Sequence, residues 1–182
     1  MTPDGHDIRR LERLTPRDVG ELAEVLIDCV NAGASVGFMA PLSVERARAF
    51  WARVAEDAAL GRRAVLVASD SAGICGTVQL ALDTPDNQPH RADLCKMLVQ
   101  RRARRRGVGS ALMTAAEALA LELGRTLLVL DAVTDGDAAR LYARMGWVRV
   151  GDIPNYALMP DGSPCGTTYF YRDLSADPPR PR

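Results

Sequence analysis

The chain has 182 residues, 47% of them hydrophobic and 25% charged, with 23 basic and 23 acidic side chains. That balance fits one ordinary globular domain and leaves no overall charge to draw nucleic acid or a membrane surface. No apolar stretch is long enough to span a bilayer, and the polar first seven residues lack the apolar run of a secretory signal, so a cytoplasmic location is expected. Cys29, Cys75, Cys95 and Cys165 are far apart, without metal-ligand spacing to histidine; they read as reduced thiols, Cys75 and Cys95 as small buried hydrophobes, and no metal is expected.

Residues 8–14 alternate and predict a first strand. Thr15 and Pro16 then supply a helix cap and a first-turn proline, and the helix runs to about Asn31 with Leu22, Val25, Leu26 and Cys29 on one face. Residues 32–42, with Gly33, Gly37 and Pro41, read as a loop. Ser43 caps a second helix that carries Val44, Ala47, Phe50, Trp51 and Val54 at helical spacing and ends near Gly61. Residues 64–69 and 74–82 predict a hairpin across a turn at 70–73, and residues 92–99 a further strand after a polar loop. Residues 108–123 predict a strong amphipathic helix closed by Gly124, and the apolar run 126–132 a central buried strand. Residues 137–145 read as a short helix stopped by Gly146. Residues 147–151 and 167–174 predict strands on either side of a loop at 152–166, and 175–182 a disordered, proline-rich tail after a single domain spanning 1–174. The order is a mixed α/β one, and the crossover helix at 108–123 makes the strands before and after it parallel.

The charge is unevenly spread. Between Leu94 and Ala116 there is no acid, while Lys96, Arg101, Arg102, Arg104, Arg105 and Arg106 are all basic. This run joins a strand to a helix through Gly107, Val108, Gly109 and Ser110. Free N–H groups and the dipole at a helix start favour an anion, glycines let backbone approach it, and arginines add charge-assisted bonds to phosphate oxygens. A solvated charge run and a nucleic-acid patch are the alternatives, although no aromatic residues are interleaved. No Gly-Lys-Ser/Thr follows, which excludes a P-loop, and the glycines are too few for a dinucleotide fingerprint.

Arg104, Gly107 and Gly109 match the pyrophosphate motif Arg/Gln-x-x-Gly-x-Gly/Ala, and the run from Asp137 through Tyr142 to Gly146 and Trp147 looks like an Ala-x-x-x-Tyr-x-x-x-Gly-Phe segment with tryptophan in place of phenylalanine. With these motifs the chain resembles the GNAT acetyltransferase superfamily. Where that family often has an asparagine seven residues before the tyrosine, Asp135 stands here. More narrowly, residues 35–39, 76–80, 90–93 and 153–157 look like the tabtoxin-resistance-type acetyltransferases. The resemblance implies a strongly twisted mixed sheet of six to seven strands flanked by about four helices. It also implies that the strands at 92–99 and 126–132 splay apart around acetyl-CoA, the acetyl donor.

On that resemblance, Met97, Leu98 and Val99 would pair with the pantetheine and polarise the thioester carbonyl. Arg104, Arg105, Arg106, Gly107, Val108, Gly109 and Ser110 would hold the pyrophosphate, with Asp137 nearby. Tyr142 would be the proton donor to the departing thiolate. Asp93 and Asp131 are both candidates for the base that deprotonates the amine, with His90 behind them. Asp93 can equally serve as an ion-pair partner of Arg91 or Lys96. The acceptor pocket would draw on Phe38, Met39, Gln79 and Tyr156, of which Phe38 and Met39 read equally as core. The expected partner is a small-molecule primary amine, either a toxin or an amino-acid-like compound, with no nucleic acid or membrane and with a homodimer through exposed strands near the C-terminus. A non-catalytic acyl-CoA-binding module is the other function these motifs allow.

Overall fold

A computed structural model describes residues 5–175. Its elements are β1 (Asp7–Arg10), α1 (Pro16–Asn31), α2 (Val44–Ala59), β2 (Arg63–Asp70), β3 (Gly73–Ala81), β4 (Arg91–Val99), a 3-10 turn (Arg101–Ala103), α3 (Val108–Glu122), β5 (Leu127–Val133), α4 (Asp137–Arg144), β6 (Val148–Leu158) and β7 (Pro164–Asp173). The seven strands form one sheet in the order β1-β2-β3-β4-β5-β7-β6. Among the described strands only β4 and β5 run parallel, joined through α3, as the crossover requires. The mixed sheet and its four helices match the expected architecture.

Local chemistry sets the helix ends. Thr15 and Asp18 form a reciprocal capping box at α1, with Pro16 at the first position, and Ser43 caps α2 through the N–H of Arg46. Gly124 takes the left-handed backbone (φ 72°) just past α3. Glu21 of α1 accepts from the N–H of Ile74, which ties α1 to the β2–β3 turn.

Alternation along the strands divides the core in two. Leu66, Cys75, Val78, Leu80, Ala92, Leu94, Leu128, Leu130 and Phe170 pack on one face with α3, Tyr142 of α4 and Trp147. Val65, Val67, Ile74 and Leu98 pack on the other with α1 and α2, around Trp51. Among the described residues this second core takes nothing from β5, β6 or β7.

Several expectations are corrected. The first strand covers only Asp7–Arg10 rather than 8–14; Leu11 still donates to the Val65 carbonyl and is buried in the α1/α2 core, and Thr15 then caps α1. Val44, the first residue of α2, is half-exposed and not part of its buried face. The strand at 126–132 is central but not continuously buried: only Leu128 and Leu130 are covered, and Asp131 is exposed. Cys95 is half-buried beside Arg63 and Gln79 rather than buried among apolar groups. The loop expected at 152–166 is largely strand, with β6 running on to Leu158 and β7 starting at Pro164. Pro154 lacks an N–H, but β6 is an edge strand, and the register shift between Ile153 and Ala157 absorbs it. The expected tail lies outside the described residues after Ser175. No described helix is long and apolar enough to cross a membrane.

Candidate active site

β4 and β5 pair only over Arg91, Ala92 and Asp93 against Leu127, Leu128 and Val129. From Leu94 and Leu130 onward they separate, and the backbone of both strands loses its partner along that line. A bulge in β4 accompanies the separation. Thr77 opposes Leu98 and Gln79 opposes Cys95, so Lys96 and Met97 together oppose Val78. Lys96 takes a left-handed backbone (φ 52°), uncommon for a residue with a side chain. The extra residue reverses the strand's alternation. Before it, Ala92 and Leu94 face α3; after it, Met97 and Val99 do, and Leu98 enters the α1/α2 core. Met97, Leu98 and Val99, the residues that the resemblance assigns to the pantetheine, lie at and just beyond this bulge, and the Val99 carbonyl accepts from Cys29 Sγ and Arg104 Nε.

The basic segment closes one end of this opening and sorts into two groups. Arg101 gives its backbone N–H and its Nε to Asp28, both at 2.8 Å, and Arg102 pairs with Asp70. Burial alone would raise the Asp28 and Asp70 carboxyls, but the bonds from Arg101 and Arg102 overcome it and hold both below the ordinary range. Arg104 folds back, donating from Nε to the Val99 carbonyl at 3.0 Å, so it clips the loop to the end of β4. Arg105 and Arg106 are exposed and form no ion pair with a described residue.

Gly107 caps α3 in the left-handed region (φ 76°) with no side-chain hydrogen bond, and the first intrahelical bond there runs from Ala111 N–H to the Gly107 carbonyl. Ser110 Oγ donates to that same carbonyl. The N–H groups of Val108, Gly109 and Ser110 are left facing outward as donors, the arrangement an anion needs. A Cβ at Gly109 would lie 3.2 Å from the Leu141 side chain of α4, a tight contact that Leu141 would have to relieve. Asp137 opens α4 and pairs with Arg140, which lowers its carboxyl, with smaller contributions from Arg105 and Arg104 across the opening.

Tyr142 is buried on the α3 face, its ring 6.0 Å from both Trp147 and Phe170. Burial, helped by Asp131, pushes its phenol well above the usual value, so it stays protonated throughout the neutral range. Trp147 fits where phenylalanine is usual because its indole N–H reaches Glu117 of α3 at 2.8 Å.

On the opposite face of the sheet lies the second side of the opening. Asp131 stands in register with Tyr169 across β5 and β7, so both side chains leave this face together. Although Asp131 is exposed, partial loss of hydration raises its carboxyl; Lys96 opposes the shift and Asp93 adds to it. Tyr169 and Tyr156 share a hydroxyl hydrogen bond of 2.9 Å, and that bond, with burial and the nearby charges, pushes Tyr169 to about 12. Lys96 Nζ lies 5.8 Å above the Phe50 ring. The loop at 32–42 bridges from α1 to the β6–β7 hairpin, through Ser35 Oγ to the Leu158 carbonyl and Ala40 N–H to the Pro160 carbonyl. It carries Met39, exposed, and Phe38, whose ring packs edge-on against Phe50.

Register, the tyrosine pair and the effect of Lys96 thus link Asp131 with Tyr169, Tyr156 and the β4 bulge, while Met39 is on the loop that is bound to the β6–β7 hairpin. Asp93 sits at its closed end, bound to Arg91, and Gln79 lies a layer beneath, fully buried and accepting from Arg63 at 2.8 Å. Tyr169 and the bulge at Lys96 escaped the sequence reading. Tyr169 had only its alternation with Thr167 and Tyr171 to mark it, and a bulge has no signature in one sequence.

Residues 61–149, just under half of the chain, match the acetyltransferase (GNAT) domain family. Solved structures extend the likeness over the whole fold. An N-acetyltransferase related to GCN5 from Kribbella flavida is 24% identical, with a TM-score of 0.76, covering 95% of this chain and 100% of its own. The structure of yncA from Salmonella typhimurium with its cofactor acetyl-CoA is 17% identical, with a TM-score of 0.76 and 98% of each chain covered. An N-acetyltransferase from Staphylococcus aureus Mu50 is 16% identical, again at 0.76, over 93% of this chain and 99% of its own.

Proposed function

We propose that this chain, folded as the GNAT acetyltransferases are, moves an acetyl group from acetyl-CoA to a primary amine of a small molecule by direct attack with both substrates bound. The observation that carries the reading is the coincidence of three features: β4 and β5 part after Asp93, β4 bulges at Lys96, and the uncapped start of α3 meets the same opening. Outward N–H groups at Val108, Gly109 and Ser110, with Arg105 and Arg106 unpaired beside them, fit a pyrophosphate. The parted strands fit a slender pantetheine arm, and the family match and the acetyl-CoA carried by yncA point to the same donor.

Acetyl-CoA supplies the thioester. The chain supplies position and proton traffic. Backbone groups at Met97 to Val99 hold the arm, and an N–H freed by the bulge polarises the acetyl carbonyl. The amine arrives from the Asp131 face under the loop at 32–42. Asp131 takes one proton from the ammonium; the freed nitrogen lone pair bonds the acetyl carbon, the nitrogen then gives its second proton to water, and the carbon–sulfur bond breaks with its electron pair leaving on sulfur. Tyr142, kept neutral by its burial, hydrogen-bonds and protonates the leaving sulfur from the other face. Asp93 is the less suited base, since Arg91 already binds it. A cytoplasmic role in disabling a toxin or amino-acid-like amine is supported by the resemblance of residues 35–39 and 153–157 to the tabtoxin-resistance-type enzymes.

Calorimetry with acetyl-CoA tests the donor: saturable one-to-one binding is expected, and no heat at millimolar concentration ends the reading. Thiol release from acetyl-CoA across a panel of primary amines then tests the transfer, and Tyr142→Phe is expected to lower turnover far more than affinity for acetyl-CoA.

A further inference from the structure

The charged groups around Asp131 are unequally committed. Arg91 is bound to Asp93, and Arg63 lies 3.7 Å from Asp57 and donates to Gln79. Asp131 and Lys96 form no ion pair with each other or with any other described residue. They are nevertheless neighbours, because the Lys96 charge favours the ionised form of Asp131. One acid and one ammonium therefore stand near each other without a bonded counter-charge.

Lys96 also differs from an ordinary surface lysine, which is exposed on a freely moving stem. It is half-buried, and the bulge fixes where its side chain starts: its backbone is left-handed (φ 52°) where two residues of β4 oppose one of β3. Its Nζ lies 5.8 Å from the centre of the Phe50 ring of α2 and 3.9 Å from the place a Cβ on Gly37 would take. The ammonium is thus held between α2 and the loop at 32–42, the loop under which the proposed acceptor enters. Partial removal of an ammonium from water is unfavourable without an opposite charge, and a ring face offsets only part of that cost.

An acceptor amine reaches Asp131 as an ammonium. A plain alkylamine would bring a second cation beside Lys96, whereas a carboxylate close to the amine would turn that repulsion into an ion pair. We infer that Lys96 selects the acceptor, its Nζ binding the carboxylate of an amino-acid-like zwitterion whose amine lies at Asp131. This rests on the acetyl-transfer reading and names the recognition element that reading leaves open. Lys96 is a specificity residue here; it neither gives nor takes a proton in the transfer.

The test follows thiol release from acetyl-CoA with free amino acids, their carboxamides and alkylamines of matched chain length. It is run on the high-pH plateau, where Asp131 is ionised with or without Lys96. At least one free acid should exceed its carboxamide in kcat/KM by about 10- to 100-fold, the range for a bond between charged groups. Lys96→Met should abolish that preference by raising KM for the acid, while kcat/KM for the carboxamide and affinity for acetyl-CoA hold. Lys96→Arg, which keeps the charge, should retain part of the preference. Equal losses for acid and carboxamide in Lys96→Met would mean that Lys96 only shapes the bulge, and would overturn the inference. The comparison of acid with carboxamide in the parent needs no variant, so it decides even if a replacement at the bulge fails to fold. A parent that uses carboxamides or alkylamines as well as acids overturns the inference and leaves acetyl transfer standing. No transfer to any member of the panel removes both.

Discussion

On the β1–β4 side of the sheet both faces are covered, by α3 on one and by α1 and α2 on the other. On the β5–β7–β6 side only the α3/α4 face is covered, and the opposite face presents Asp131, Tyr169, Tyr171 and the exposed residues of β6. The boundary between these halves is the line along which β4 and β5 part. Stability and chemistry are thus assigned to different halves: one has the packed side chains, the other has the titratable groups and the opening. The comparison is sharpened by substitutions that act on one half and spare the other.

The largest expected effect is chemical and falls on the open half. Asp131→Asn keeps the shape and removes the base, so turnover should drop by about 100- to 10,000-fold while acetyl-CoA affinity hardly changes. In the parent, activity should rise with pH through a value above the ordinary carboxylate range, since the carboxyl works ionised and its surroundings favour the protonated form. An unchanged rate, measured once an acceptor is in hand, would remove Asp131 as base and return the role to Asp93.

The next effect is structural and falls on the covered half. Trp51 is fully buried against Phe50 and the α1/α2 core, and Trp51→Ala should cost about 3–5 kcal/mol in urea unfolding. Leu158→Ala, on the open half and half-exposed, should stay within about 0.5 kcal/mol. Equal losses would break the comparison.

What the sequence disclosed follows the same division. α1 and α2 were legible because their caps and periodicity are local: Thr15, Pro16 and Ser43 mark ends, and Leu22, Leu26 and Trp51 mark a face. The place of the Arg104 to Gly109 segment between a strand and a helix was legible from the local pattern. The open half was harder to read. Pro154 and the turn-forming residues near it masked the edge strand, because β6 answers to its register with β7 and not to local propensity. The β4 bulge depends on pairing with β3, and the pairing of Arg101 and Arg102 with Asp28 and Asp70 joins residues too distant in sequence for spacing to reveal.

That sorting of the arginines gives a smaller effect. Arg105→Ala and Arg106→Ala should each weaken acetyl-CoA by about 1.5–3 kcal/mol if their guanidiniums bond phosphate, and more so at low salt. Fold stability should not move. If Arg101 or Arg102 variants weaken the cofactor equally, the basic run acts as a diffuse field and the two groups are not distinct.

The smallest effect belongs to the paired arginines and appears as acid sensitivity. Asp28 and Asp70 have folded values below their unfolded ones, so their pairing adds stability that is present above the unfolded carboxylate value, about 3.9, and is lost as pH falls through the lower folded value. Arg102→Gln removes the charge that holds Asp70 down. The Arg102 side chain is 40% exposed, so after solvent screening the loss at neutral pH should be about 1 kcal/mol or less. The difference in melting temperature between parent and variant should shrink as pH is lowered below about 4 and close only below the depressed folded value of Asp70, where it is protonated in both. A difference constant with pH would mean that Arg102 acts by packing against the β2–β3 turn rather than by charge. Acetyl-CoA affinity should be the same in both proteins at neutral pH, because the Arg102 guanidinium is already committed to Asp70 and to the Gln100 amide oxygen.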